Sequence, residues 1–208
     1  MAHPARTQQI SRRSWLLAGL GISLFKARGA EQLGVSFDGD NLHVSAPALH
    51  FLSGKPLERL KDGATVVYLS QLTLFKDQYV TPLRQARVER FVISYDIWSE
   101  DKFSVSVPGQ RSVANLSAKA TETWCLGYMA IGADGLAPET PFWLRLEMHT
   151  ADPKDLSTLV GERGYSLRNL ILLLAKRPDA DDPSWMLETG PLRLADLART
   201  PGRGSRGE

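Results

Sequence analysis

Apolar and polar residues alternate along much of this 208-residue chain from position 41 onward, the pattern of strands with one buried and one exposed face. The clearest strand spans 142–149, where Phe142, Leu144, Leu146 and Met148 alternate with Trp143, Arg145, Glu147 and His149. Earlier strands are predicted at 42–46, where Pro47 ends the pattern, and at 66–75, with Val66, Tyr68, Leu72 and Leu74 towards the core. We expect edge strands at 185–188 and 192–197.

Residues 88–107 predict a β-hairpin. Its apolar face carries Phe91, Ile93, Tyr95 and Ile97 on the first strand and Phe103, Val105 and Val107 on the second. Because side chains alternate with a period of two, paired positions must sum to an even number, which favours a loop of three or five residues around Asp101. The opposite face carries Arg90, Ser94, Asp96, Trp98, Ser104 and Ser106.

Helical spacing replaces alternation at 116–128. There Leu116, Ala120, Trp124 and Tyr128 form one stripe, and Lys119 and Glu122 lie outside it. Residues 56–61 predict one helical turn, with Pro56 at its first position and Gly63 as its end. Further helices are expected to begin at Asp152 and Ser166, although a buried strand is an alternative for 170–175, and 179–183 is an acidic linker.

These elements predict one α+β domain at 30–198, built mainly from an antiparallel β-sheet, sandwich-like or a partly closed barrel, with two helices packed on it. The Gly/Pro-rich tail at 199–208 contains three arginines and is expected to be disordered. Cys125 is the only cysteine, which excludes an internal disulfide and the class of small disulfide-stapled secreted domains. We expect it to be a buried thiol on a helix.

The first 29 residues have the organisation of an export signal peptide. Arg6, Arg12 and Arg13 precede an apolar run at 15–25, and small residues around Gly29 offer a cleavage site. The run is well short of the roughly 20 residues that a spanning helix needs. We therefore expect leader cleavage, no transmembrane span in the mature chain and a periplasmic or otherwise extracytoplasmic location.

Arg12 and Arg13, followed by Trp15 and Leu16, resemble the twin-arginine export signal, although Leu17 stands where that signal commonly has lysine. An ordinary secretory signal that contains two arginines is an equal alternative. The leader also accounts for the basic balance of the chain. Removing its five basic residues from 25 leaves 20 Lys and Arg against 23 Asp and Glu, a formal net charge of −3, so no nucleic-acid partner is expected.

No motif in the sequence identifies a reaction: the serine elbow G-x-S-x-G, the phosphate loop and the zinc-peptidase sequence H-E-x-x-H are absent. We expect no cofactor. His43 and His50 match no common zinc spacing, and the aspartates at 179–182 lack the glycine and interleaved ligands of a calcium loop. No metal site is therefore predicted.

Two polar and aromatic groups remain as candidate binding residues. Arg145, Glu147 and His149 project from one strand face about 7 Å apart at successive positions, either to orient a titratable imidazole or to make cross-strand charge pairs on a solvated face. Trp98 and Trp143 fall on faces opposite the predicted core, alongside Trp185 in an edge segment. Such residues mark a partner surface unless a helix or loop covers them. Asp96 lies next to Trp98 and completes the candidate surface.

The segment 90–98, with the sequence RFVISYDIW, and the following Phe103-Ser104-Val105 are similar to the central strand pair of an uncharacterised bacterial envelope family, domain of unknown function 4390. The order of leader, Leu-rich turn ending at Gly63, long strand, hairpin and helix near Trp124 is similar too, over roughly 41–150. This resemblance implies an exported β-rich domain without an established activity, so no catalytic residue is transferred to this chain.

The leading hypothesis from the sequence is an exported, non-enzymatic module that binds an envelope protein or another envelope component through an open sheet face or edge. The rival is a small extracytoplasmic enzyme that uses Asp96, or Glu147 with His149, in acid–base chemistry.

Overall fold

Two open, mostly antiparallel β-sheets and two helices form the fold of the computed structural model, which describes residues 33–99, 101–151 and 183–199. In chain order the elements are β1 (Gly34–Phe37), β2 (Asn41–Ser45), α1 (Gly54–Lys61), β3 (Val66–Phe75), β4 (Pro82–Gln85), β5 (Glu89–Tyr95), β6 (Phe103–Val107), β7 (Arg111–Leu116), α2 (Ala118–Tyr128), β8 (Ala130–Gly132), β9 (Phe142–Ala151), β10 (Ser184–Leu192) and β11 (Ala198–Arg199). The smaller sheet has the order β11-β1-β2-β8, and the larger has the order β10-β9-β3-β5-β6-β7, with β4 beside β3. The α+β class with a sheet sandwich is confirmed.

Strand β3 is the centre of the larger sheet. It pairs with β9 on one side and, on the other side, first with β5 and then with β4. All ten of its residues are buried. Tyr68 and Leu72 belong to the main core, which also takes in Leu42 of β2 and Ile131 of β8 from the smaller sheet. The core therefore includes residues of both sheets, as in a sandwich, which was one of the two predicted alternatives.

The strands with regular alternation form where the sequence predicts them. In β9 the residues Phe142, Leu144, Leu146 and Met148 are buried and their neighbours are half-buried. The β5–β6 hairpin pairs Ile93 with Val105 and Tyr95 with Phe103, so the even-sum register is confirmed. Ile97 is a correction: the strand ends at Tyr95, and Ile97 is 61% exposed instead of facing the core.

Helix α2 also differs from its prediction. Its buried residues are Thr121, Glu122, Cys125 and Leu126, whereas the predicted stripe through Trp124 and Tyr128 is only half-buried. Placing Glu122 outside the core was wrong, because hydrogen-bond partners distant in the sequence satisfy its carboxylate inside it. The prediction for Cys125 is confirmed, and burial raises the pKa of this thiol.

Several shorter elements shift or add to the predicted set. Helix α1 begins at Gly54, two residues before Pro56. The segment 192–197 contains a 3-10 turn at Leu194–Asp196, not an edge strand, while 185–188 lies within the edge strand β10. Strands β1, β4, β7 and β8 have no counterpart in the predictions, since each has only three to six residues, too few for a sustained alternation.

Other predictions fall on residues outside those the structure describes: the leader, the helices that begin at 152 and 166, and most of the linker at 179–183 and of the tail. Arg199, the first residue of that tail, pairs with Phe37 through β11. No helix within the described ranges has the length and apolar character that crossing a membrane requires.

Candidate functional site

The turn between β5 and β6 holds the most exposed aromatic residue of the candidate set. Trp98 is 91% exposed, and its neighbour Ile97 is also largely exposed. The side chain of Asp96 fixes this turn, since its Oδ1 accepts a hydrogen bond from the backbone N–H of Trp98 at 2.9 Å. At the other side of the turn, the N–H of Asp101 donates to the hydroxyl of Tyr95 at 3.2 Å. These two hydrogen bonds restrain the described residues of the turn, and Ile97 and Trp98 remain exposed to water.

The other two candidate tryptophans lie elsewhere. Trp143 is half-buried against Gly190 of β10, where an added Cβ would lie 2.6 Å from the indole ring. The indole of Trp185 lies 6.3 Å from the ring of Phe51 and 6.0 Å from that of Tyr68, so it faces the core. Grouping Trp185 with an outward face was incorrect, because its register opposite Met148 turns it inward.

Arg145 makes the cross-strand charge pair that strand geometry allows. Its Nε lies 2.7 Å from Oε1 of Glu188, the residue opposite it on β10. Its guanidinium carbon also lies 4.9 Å from the ring centre of Phe75 and 5.1 Å from that of Tyr79. The side chain is thus held by Glu188 and two rings rather than by Glu147.

Glu147 and His149 lie two residues apart on the same face of β9. Glu147 lies opposite Gln71 on β3 and opposite Met186 on β10. His149 lies opposite Leu69 on β3 and opposite Ser184 on β10. Burial lowers the pKa of His149, so its neutral form is favoured at neutral pH. Neutral imidazole can accept a proton, which is the chemistry that the enzyme hypothesis needs.

Asp96 lies far from Glu147 and His149. His149 is level with Arg90 across β3, and Asp96 follows Arg90 by six residues along β5. At about 3.3 Å per residue, Asp96 is roughly 20 Å away along the sheet. The candidate residues therefore form two separate groups, one at the turn and one on β9 with β10.

Serines of β5, β6 and β7 line a shallow cavity on the face opposite the main core. Its volume is about 480 Å³, and it is lined by Ser94, Ser104, Ser106 and Ser112 together with small apolar residues. Neither this cavity nor the one next to α2 is lined by Asp96, Glu147 or His149.

The cavity next to α2 has a volume of about 370 Å³ and is enclosed by the end of β2, the loop after it and one side of α2. Glu122 forms part of its wall and is 5% exposed. One carboxylate oxygen accepts from the N–H of Leu52 at 2.9 Å, and the other lies 3.1 Å from Nδ1 of His50. Sequence reasoning missed this residue, although Cys125 and Leu126 follow it at the spacing of one helix face.

His43 and His50 are each held by a different carboxylate and do not form one group. His43 Nε2 lies 2.7 Å from Oδ2 of Asp38, whereas His50 is bound to Glu122. This imidazole and the N–H groups of Asn41 and Asp40 keep the pKa of Asp38 well below its usual range. Within 33–99, 101–151 and 183–199, no three His, Cys, Asp or Glu side chains are close enough together to hold a metal ion.

Comparison of the chain with protein-family models, curated proteins and solved structures gave no match. The resemblance to the envelope family therefore stays a prediction.

Proposed function

We propose that this chain is an exported, non-catalytic binding module that holds a protein of the cell envelope through the turn between β5 and β6. The observation that carries the proposal is Trp98, 91% exposed on a turn whose backbone is fixed by Asp96. Transfer of an exposed indole from water into a pocket of a partner lowers the free energy of the complex. The hydrogen bond from Trp98 to Asp96 already restrains the backbone at 96–98, which reduces the conformational entropy lost on binding.

Export is the second part of the proposal, and its support comes from the sequence alone. Arg12 and Arg13, the apolar run at 15–25 and the small residues before position 30 are the parts of a leader. The resemblance to an envelope family agrees with this location.

The enzyme hypothesis is the less favoured alternative. Acid–base chemistry needs its groups within hydrogen-bond reach of one substrate. Asp96 lies roughly 20 Å along the sheet from His149, and its carboxylate already accepts the hydrogen bond that shapes the turn. Glu147 and His149 are adjacent on β9, but neither lines the two cavities described above.

Partner capture tests the binding function. The purified chain is immobilised and exposed to an envelope extract, and bound proteins are identified and quantified. Trp98→Ala is expected to reduce the capture of a specific partner at least tenfold, the size of effect that loss of a central interface tryptophan produces. Its thermal unfolding should match that of the original chain, because the residue contributes little to the core.

Val80→Ala is the matched control. Val80 is 76% exposed and lies in the turn between β3 and β4, at the opposite end of the sheet from Trp98. Capture should be unchanged in this variant. If Trp98→Ala retains the partner as well as Val80→Ala does, the binding turn is not the interface and the proposal fails.

A further inference from the structure

The cavity next to α2 has a largely apolar wall. It is lined by Val44 from the end of β2, by Ala46, Pro47 and Leu49 from the following loop, and by Leu126 from α2. Its volume of about 370 Å³ lies in the range of ~300–1,000 Å³ that is typical of small-molecule sites. An apolar body is therefore the part of a ligand that this cavity favours.

Gly127 is an exposed residue of the cavity wall. It lies in the last turn of α2, and a Cβ built on it would meet no atom within 4 Å. Its backbone is helical, so a larger residue fits there without strain. This position consequently offers a way to fill the cavity without changing the residues that form its wall.

The two charged residues of the cavity, Glu122 and Lys119, differ in whether their charged groups have partners. Both carboxylate oxygens of Glu122 have hydrogen-bond partners. Lys119, in the first turn of α2, is exposed, and within the described residues its ammonium group has no ion-pair partner. The first turn of a helix also favours a negative charge through the helix dipole. A ligand with an anionic end would complement this side of the cavity.

We propose that this cavity binds a medium-chain fatty acid as its carboxylate, with the acyl chain inside the cavity and the carboxylate against Lys119. A methylene group is about as large as a water molecule, which occupies ~30 Å³ in the liquid. The cavity thus holds a chain on the order of ten carbons. This site is separate from the Trp98 turn and does not depend on the proposed envelope partner.

Calorimetric titration of the full chain with decanoate tests the proposal. The expected dissociation constant is on the order of 10–100 µM, in keeping with a ligand of this size. Gly127→Leu places a side chain in the cavity and should weaken binding about tenfold or more, because it displaces two or more methylene groups. Gly127→Ala is the matched control and should bind decanoate within about threefold of the original chain.

Thr123→Phe provides a second test in case Gly127→Leu fails to fold. Thr123 is exposed at the cavity, so an aromatic ring there obstructs the site without entering the core. It should also weaken binding about tenfold. Absence of decanoate binding to the original chain would overturn the proposal. So would undiminished binding to the folded variant that fills the cavity.

The charge assignment has its own test. Decyltrimethylammonium has the same chain length with a cationic head, and it should bind at least tenfold more weakly than decanoate. Lys119→Gln should reduce decanoate affinity about threefold to fivefold, the effect of one partly exposed charge pair. Equal affinity for the two probes, or an unchanged affinity in Lys119→Gln, would contradict the carboxylate end of the site.

Discussion

Glu122 of α2 accepts a hydrogen bond from the backbone N–H of Leu52, 70 positions earlier in the chain, at 2.9 Å. Both residues are buried. The same carboxylate lies 3.1 Å from His50, so two atoms of one side chain hold the loop that connects β2 to α1. The same loop supplies Pro47 and Leu49 to the wall of the cavity beside α2, so Glu122 helps to hold that wall in place.

Removing the Glu122 carboxylate should therefore destabilise the fold. Glu122→Ala leaves the buried N–H of Leu52 without an acceptor and is expected to lower the free energy of unfolding by roughly 2–4 kcal/mol. Glu122→Gln keeps one acceptor oxygen and should cost about half as much. Urea denaturation at pH 7 measures both. Glu139→Ala, at an exposed acidic position, should stay within about 0.5 kcal/mol of the original chain. A similarly small effect for Glu122→Ala would show that this contact does not contribute to stability.

Gly190 is expected to tolerate no side chain. Its φ of +139° is a conformation that L-residues rarely adopt, and an added Cβ would lie 2.6 Å from Trp143 and 2.9 Å from the carbonyl oxygen of Phe142. Gly190→Ala should lower the free energy of unfolding by about 2 kcal/mol or more. Gly127→Ala is the comparison, and a gain of roughly 0.5 kcal/mol is expected because alanine favours helix. Thermal and urea unfolding of both variants check the contrast, and equal stability at the two positions would argue against the packing of Trp143 on Gly190.

His149 should make the fold weaker in mild acid. Burial lowers its pKa in the folded state, so the unfolded chain binds a proton more readily than the folded chain. Its contribution to stability is present above the unfolded pKa of about 6.5 and is lost as the pH falls below that value. His149→Gln removes the titrating group and should flatten the fall in unfolding free energy between about pH 7 and 5.5. His50→Gln, at a more exposed imidazole, is the comparison. An unchanged pH dependence in His149→Gln would exclude His149 as the cause.

Export should depend on the arginine pair if the twin-arginine alternative holds. Arg12→Lys combined with Arg13→Lys keeps the positive charge of the leader but removes the pair that this route recognises. The double variant is expected to accumulate in the cytoplasm, as measured by fractionation and immunoblotting. Arg6→Lys, which lies before the pair, is the control and should be exported normally. Normal export of the double variant would assign the leader to the ordinary secretory class.

The sequence predicted the strands in which the alternation of apolar and polar residues matches the alternation of buried and exposed positions. In β9 every second residue is apolar, so a strand with one face in the core is the arrangement that buries Phe142 and Leu146 together. The two-residue alternation of side chains along each strand was enough to predict that Ile93 and Val105 face the same side. These predictions needed no knowledge of distant residues.

The predictions that failed depended on contacts outside the local pattern. Ile97 continues the apolar alternation, but the Asp96 side chain captures the N–H of Trp98 and turns the chain away from the strand. Glu122 looks like a solvent-facing residue until Leu52 and His50 are placed next to it. Trp98 stands out in the sequence as an aromatic residue opposite the predicted core, but its prediction on a strand face was wrong, because β5 ends at Tyr95 and Trp98 lies in the turn that follows.

The position of β3 also sets the order in which the fold can be completed. Its partners β4 and β5 follow closely in the chain, but β9 is complete only at Ala151. During synthesis, one edge of this wholly buried central strand therefore has no native neighbour until some seventy further residues have emerged. A nascent chain in that state is prone to mispairing with other exposed strands. The edge of β3 that pairs with β9 is therefore the part of the sheet most open to mispairing until β9 has been made.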